Sequence, residues 1–438
     1  MTITNGELRW WPTNAPEASS RTDDIWFIDP QTGWAVNSNG QILKTEDGGA
    51  RWQEQFHSAA YLRCVGFANA SKGWVGTLDA AERLYHTEDG GQMWAPVTNL
   101  PALAPSAICG LSVVSESVVY ASGTNYPNRP ARMMKSLDGG ASWTAWEMSE
   151  HATLLVDTLF TSPERGWVVG GKADVPNPQR RHVKPVVLYT EDGGQTWTNR
   201  VANLQDEFPF GEWGWKIQFL DDSVGFISLE NFTAGAILKT TDGGETWRRL
   251  PINDQQGNAN LEGVGFADER RGWVGGWGTA DFTGGFSSAT DDGGASWRDA
   301  NEIGRFINRF RFFGNPATLG YASGRTVYKY SSEPVPPPPL GVAQPVRILD
   351  SNEPQEAEDS VEIVYAVPPG ARHVSVVVRD RFGEVVRRLV EEHGLAGGRQ
   401  SVTWDFTNDY GRALPPGFYI YRITVNGESE SRIVLKTR

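Results

Sequence analysis

TEDGGARW, Thr45 to Trp52, puts a hydroxyl, a carboxylate, two glycines and an indole into one short run. The run returns as TEDGGQMW ending at Trp94, SLDGGASW at Trp143, TEDGGQTW at Trp197, TTDGGETW at Trp247 and TDDGGASW at Trp297. A carboxylate kept between a hydroxyl and two glycines suits either a catalytic or cation-binding motif or the turn of a hairpin. The residues around it decide between the two.

The box aspartates Asp47, Asp89, Asp138, Asp192, Asp242 and Asp292 stand 42 to 54 residues apart. Periods of that size mark propellers and solenoids, and helical patterning is nearly absent between the boxes. A second feature recurs seven times: GWAV at Trp34, GWVG at Trp74, VYAS at Tyr120, GWVV at Trp167, GFIS at Phe226, GWVG at Trp273 and GYAS at Tyr321. Seven residues before the aromatic stands Phe27, Phe67, Val113, Phe160, Phe219 or Phe266, and the last repeat reaches Phe313 with one extra residue. Each unit reads as strand, turn, strand, loop, strand, box turn, strand. Four strands per unit in seven units predict a seven-bladed β-propeller. The last repeat ends at TVYKYSS without a box, and LRWWPTN near the N-terminus offers Trp10 or Trp11 in its place. Residues 7–14 are therefore expected to supply the missing outer strand, which would remove an open sheet edge.

The box then has a mechanical role. Glycine supplies positive φ without steric cost, the carboxylate accepts N–H groups of its own turn, and the indole packs on a neighbouring strand. The six aspartates are expected to be structural, and no catalytic residue, metal ligand or cofactor is expected.

The pattern S/T-x-D-G-G-x-x-W is the Asp-box, or bacterial neuraminidase repeat. Units such as GWAVNSNGQILKTEDGGARW resemble the photosystem II stability/assembly factor family over residues 7 to about 332. The resemblance implies a non-catalytic propeller that binds protein partners during assembly of a membrane complex. Sialidases and xyloglucanases share the box, so the box by itself carries no function.

After a proline-rich stretch, EPVPPPPLGVA at 333–343, the repeat disappears. VEIVYAV, HVSVVVRD, QSVTWDF, GFYIYRITV and ESRIVLKT read as short strands of a sandwich over 344–438. WDFTNDYGRALPPGFYIYRI and VRDRFGEVVRRL, turning at Gly383, resemble the immunoglobulin-like domain of flagellar hook-capping proteins. The expected organisation is an all-β chain: a propeller at 1–332, a linker at 333–343 and an immunoglobulin-like β-sandwich at 344–438. Related modules end secreted bacterial proteins, which implies an extracytoplasmic setting, periplasmic or at the cell surface. The start MTITNGELRW lacks the charged-then-apolar pattern of a signal peptide, and no apolar run reaches the ~18 residues of a membrane helix.

Composition narrows the partners. A formal net charge of −13 repels phosphate backbones, so nucleic acid is excluded. Two cysteines, Cys64 and Cys109, make no disulfide framework and are expected to be buried free thiols. No histidine pair has ligand spacing, and no nucleotide, zinc or nucleophile-elbow motif is present.

Subtracting the repeat from the 18 tryptophans leaves Trp213, Trp215 and Trp277. They lie beside insertions at 123–132, 170–185, 206–215 and 275–285, all assigned by topology to the face opposite the box turns. With Tyr126, Arg129, Arg132, Arg180, Arg181, His182 and Glu262 they form the candidate binding face, an aromatic and basic rim on an acidic body. The leading expectation is a protein partner on this face, with the sandwich as an attachment or sorting module. A carbohydrate-binding or glycoside-cleaving propeller is the alternative, with indoles stacked on sugars and Glu212, Glu262 and Asp281 as the carboxylates. A cell-surface or appendage component is the third.

Overall fold

The computed structural model describes residues 7–18, 20–280, 287–301, 303–336, 355–367, 373–393, 398–425 and 428–438. Among these, seven four-stranded antiparallel sheets are followed by a five-stranded and a two-stranded sheet. This is an all-β propeller with an immunoglobulin-like sandwich.

The inner strands of the seven blades are Thr22–Phe27, Leu62–Phe67, Gly110–Val113, Leu154–Phe160, Glu212–Phe219, Asn258–Phe266 and Arg309–Gly314. Arg9–Pro12 pairs with Val327–Ser331, completing blade 7 from the N-terminus. Trp10, not Trp11, takes the place of a box indole: it is 4% exposed and meets Phe312 edge-on at 5.9 Å.

The recurring aromatics hold blade to blade. Each GW-type ring faces the apolar anchor of the next blade: Trp34 on Phe67 and Tyr120 on Phe160 at 3.5 Å, Phe226 on Phe266 at 3.5 Å, and Trp167 on Phe219 at 4.6 Å. Tyr321 of blade 7 stacks on Phe27 of blade 1 at 3.7 Å, which closes the ring. The box indole of the same blade meets the anchor edge-on, as Trp94 does on Phe67 at 5.8 Å. Face and edge contacts complement the ring quadrupole, so one phenyl group serves two neighbours. The anchor of blade 7 is Phe312 rather than Phe313. Phe312 lies opposite Gly320 in the register and faces Trp273, because the hairpin at Gly314–Ala317 carries extra residues and slips the pairing. Glycine is required opposite the anchor: a Cβ on Gly33 would meet the Phe27 ring at 2.4 Å.

Every box uses one hydrogen-bond scheme. Thr190 Oγ donates to Asp192 Oδ1 at 2.8 Å and accepts from Gly194 N at 2.9 Å, and Thr196 N donates to the same carboxylate at 2.9 Å. Both glycines of each box have positive φ, as at Gly193 (69°) and Gly194 (89°). The carboxylates are thus engaged within their own turns. Thr190 is 2% exposed, so Thr190→Val should orphan a buried donor and cost about 1–3 kcal/mol in chemical denaturation, with Thr190→Ser near native.

The same scheme sets an acid limit. Hydrogen bonds from Ser142, Thr196 and Ser296 pull Asp138, Asp192 and Asp292 down to about 2 from 3.8. A depressed carboxyl contributes stability that is complete above its unfolded value and lost as pH falls through its folded one. The box contribution should therefore be constant from neutral pH to about pH 4 and disappear between about 4 and 2. The check is a melting-temperature series in which replacing Ser142, Thr196 and Ser296 by alanine narrows the acid loss.

In the sandwich, the five-stranded sheet runs Gln355–Ala357, Glu428–Lys436, Gly417–Val425, His373–Asp380, Val385–His393, and Val361–Val367 pairs with Gly398–Trp404. Trp404, Val376, Val378, Tyr419 and Val434 fill the space between the two sheets. The linker from 337 onward lies outside the described residues.

Candidate functional site

Alternation places every second residue of an inner strand toward the ring axis, but five of the seven inner strands depart from it along their length, and Arg309–Gly314 does so at its terminal hairpin. Register shifts fall between Thr22 and Asp24, Leu62 and Cys64, Leu155 and Asp157, Gly214 and Ile217, and Leu261 and Gly263. A bulge re-aims the residue it adds. Here the residues at the shifts include Asp23, Arg63, Trp215, Lys216 and Glu262, and they meet across the axis.

They form two layers. In one, Arg309 of blade 7 bonds Asp24 of blade 1 at 2.9 Å and Asp157 of blade 4 at 2.8 Å through both terminal nitrogens. Burial works to raise Asp157, but Arg309 and Lys216 outweigh it and leave the carboxyl below its usual range. Lys216 lies 4.0 Å from Asp157, and burial followed by repulsion from Arg309 pushes it down to about 8. In the layer nearer the loop-rich face, Asp23 bonds Arg21 at 3.0 Å and Arg63 at 2.6 Å, and Arg21 also bonds Glu262. Arg63 lies over the Trp215 ring at 4.8 Å and Arg21 over Trp277 at 5.1 Å. All four charged groups of this layer are at most 1% exposed.

Above that layer is the mouth of the loop-rich face, and the chain itself fills it. The turn Asp380–Gly383, at the tip of a sandwich hairpin, enters the mouth. Arg381 pairs with Glu230 at 2.8 Å and donates to Asn260 Oδ1 at 2.7 Å. Phe382 lies 5.8 Å from Trp213, 6.2 Å from Phe232 and 6.4 Å from Trp215, and the Arg180 guanidinium covers its ring at 3.5 Å. Beside the turn, Phe418, Ile420, Ile433 and Leu435 pack on Tyr61, Leu78, Tyr126, Trp277 and Phe306. Arg422 donates to the carbonyls of Ser38 and Ala59. Gly383 turns at φ 88°, a conformation that favours glycine, and lies close against Leu78.

The candidate face therefore divides. Tyr126, Arg180, Trp213, Trp215, Trp277 and Glu262 lie together at the mouth, beneath the chain's own sandwich, and the three indoles are fully buried. In this structure they contact the chain's own sandwich and not solvent. Arg129, Arg132, Arg181 and His182 stay on the rim. Arg129 stacks over Tyr126 at 4.7 Å, Arg132 pairs with Glu147 at 3.0 Å, and Arg181 is exposed beside His182. Sequence reasoning missed Glu230, Asn260, Arg381 and Phe382. An arginine and a phenylalanine at a hairpin tip, where turns are usually polar, were the available signal.

Two of the three carboxylates of the sugar-cleaving alternative are occupied. Glu212 is held by Arg249 at 2.7 and 3.0 Å and by Asn231, and Glu262 by Arg21. Asp281 lies outside the described residues. Among the described residues no group of three or more His, Cys, Asp or Glu could hold a metal ion, and no helix is long and apolar enough to cross a membrane. Cys64 and Cys109 are both buried and free.

Fold and mouth together define an Asp-box propeller joined to an immunoglobulin-like sandwich. The family described as Photosynthesis system II assembly factor YCF48 matches residues 4–146 and 140–256, and the FlgD Ig-like domain matches 350–431. The chain belongs to the photosynthesis system II assembly factor family. It is 24% identical to the Photosystem II assembly protein Ycf48 of Synechococcus sp. (strain JA-3-3Ab), over 47% of this chain and 81% of that one. It is 30% identical to the Photosystem II assembly lipoprotein Ycf48 of Synechococcus sp. (strain CC9902), over 31% of this chain and 39% of the relative. Among solved structures, YCF48 bound to D1 peptide superposes with a TM-score of 0.54 at 17% identity, covering 76% of this chain and 99% of that one. An ancestral GH74 enzyme superposes with a TM-score of 0.53 at 14% identity, covering 98% of this chain and 64% of that one. These last two likenesses are of fold.

Proposed function

We propose that the chain is a non-catalytic protein-binding factor that serves assembly of a larger complex outside the cytoplasm. The observation that carries this reading is family membership across blades 1 to 5, with a solved relative of the same fold that holds a peptide. The geometry supports it, because Glu212 and Glu262 of the sugar-cleaving alternative are locked in ion pairs and its indoles are packed against protein. A relative named as a lipoprotein supports the extracytoplasmic setting.

The partner would meet the rim of the loop-rich face around the docked sandwich, where Arg129, Arg132, Arg181 and His182 form a basic, partly exposed set. The test is affinity capture from the native host's extract with the full chain as bait. One protein should be retained, and Arg129→Ala with Arg181→Ala should cut its retention by about tenfold without changing the melting temperature, since both lie outside the core. Capture of no protein, together with release of reducing sugar from a plant or bacterial polysaccharide, would overturn the reading.

A further inference from the structure

The mouth has the composition of a receptor. Glu230 and Glu262 are fully buried carboxylates side by side, and Asn260, also buried, turns its oxygen toward the same space. Glu262 has Arg21 from its own ring, whereas the cation on Glu230 is Arg381, which comes from the sandwich. Burial, with Glu262 alongside, pushes Glu230 up to about 8 against the pull of Arg381. Arg381, brought from the sandwich, is the cation paired with Glu230 and favours its ionised form more than the ring's own Arg21 and Arg180 do. Next to this acidic spot, Trp213, Trp215 and Phe232 wall a slot one ring wide, and Arg180 closes it over Phe382. Asn260, with φ 48°, holds its backbone in a conformation that non-glycine residues seldom adopt.

Two recognition elements, an anionic point and an aromatic slot, are thus matched to consecutive residues of one tight turn. Neither takes part in the stacked aromatics that join blade to blade.

We propose that the mouth is a peptide-binding site selective for a turn carrying arginine followed by an aromatic residue, that Arg381–Phe382 is its resident occupant, and that a partner segment presenting the same pair competes for it. This rests on the protein-binding reading above and names the chemistry of one of its sites. Docked, the sandwich closes the mouth and leaves the rim open. Displaced, it exposes the mouth and its own apolar strand face together.

The experiment uses the full chain and a labelled cyclic hairpin peptide copying residues 377–386, VVRDRFGEVV. The wild-type chain should bind it weakly, because its own turn competes. Arg381→Ala with Phe382→Ala should empty the mouth and raise affinity at least tenfold. Glu230→Gln added to that variant should lower affinity at least tenfold, as should a peptide with Arg→Lys, which loses the planar fork. Phe418→Asp is the second route to release, since it breaks the sheet contact on Trp277 and Phe306 and leaves Glu230, Trp213, Trp215 and the turn unchanged. It too should raise peptide affinity. Absence of binding in both released variants, each melting like wild type in its propeller transition, would overturn the proposal, as would binding indifferent to Glu230→Gln. If the peptide fails while the full chain still captures a protein through Arg129 and Arg181, the protein-binding reading stands and the mouth is only an interdomain joint.

Discussion

Arg309→Ala is expected to destabilise the propeller by about 3–5 kcal/mol, the cost of leaving buried carboxylates without their cation. Arg309 reaches from blade 7 to blade 1 and, across the axis, to blade 4, and Asp24 and Asp157 are each 1% exposed. Without the guanidinium two like charges face each other out of water, with Lys216 4.0 Å from Asp157 and Arg311 4.0 Å from Asp24 as the nearby cations. Equilibrium denaturation followed by tryptophan fluorescence measures the loss. Asn at both Asp24 and Asp157 in the Arg309→Ala background should recover part of it. A loss below about 1 kcal/mol would mean that the axis is hydrated and the ion pairs are incidental.

Trp10→Ala is the second large effect, also about 3–5 kcal/mol, since a buried indole is removed and a cavity is left. Trp10 touches Trp273 at 5.4 Å, Phe310 at 5.6 Å, Phe312 at 5.9 Å and Tyr330 at 5.2 Å, so it joins the N-terminal strand to blades 6 and 7. Trp11 is the internal control: it is partly exposed, its indole N–H donates to the Ser331 carbonyl, Arg9 lies over its ring at 5.7 Å, and Trp11→Ala should cost far less. Limited proteolysis should cut Trp10→Ala first near residues 7–14, because the closing strand would fray before the rest of the ring. Equal destabilisation by the two substitutions would contradict this assignment.

The propeller was legible because its information is local and repeated. A Gly-Trp strand, an anchor seven residues before it and a box after it each follow from turn and strand chemistry within one blade, and six repetitions remove ambiguity. Two details were not legible. The register of blade 7 depends on hairpin length, which set Phe312 rather than Phe313 against Gly320. The choice of Trp10 over Trp11 depends on which side of the closing strand faces blade 6.

The candidate site was half legible. Trp213, Trp215 and Trp277 stood out as surplus to the repeat, and topology placed them on the loop-rich face. What they touch was not in the pattern. Five register shifts broke the alternation that reveals which residues face the axis, so the charges of the ring interior could not be assigned to it from spacing. Gly417–Val425 carries apolar residues on both of its sides, Phe418 and Ile420 on one and Tyr419 on the other, a sign of a strand buried on both faces. That sign says a cover exists without saying which surface supplies it.

By itself, then, the amino-acid sequence determined the seven blades, the six turns and the separate sandwich, because each rests on contacts a few residues apart or one repeat apart. Only the tertiary structure decided that the sandwich lies on the propeller, that Arg381 and Phe382 occupy its mouth, and that the rim is the part left open. Those contacts join residues more than a hundred positions apart from two unrelated patterns. Their energy comes from shape and charge matching between finished domains, which no local spacing encodes.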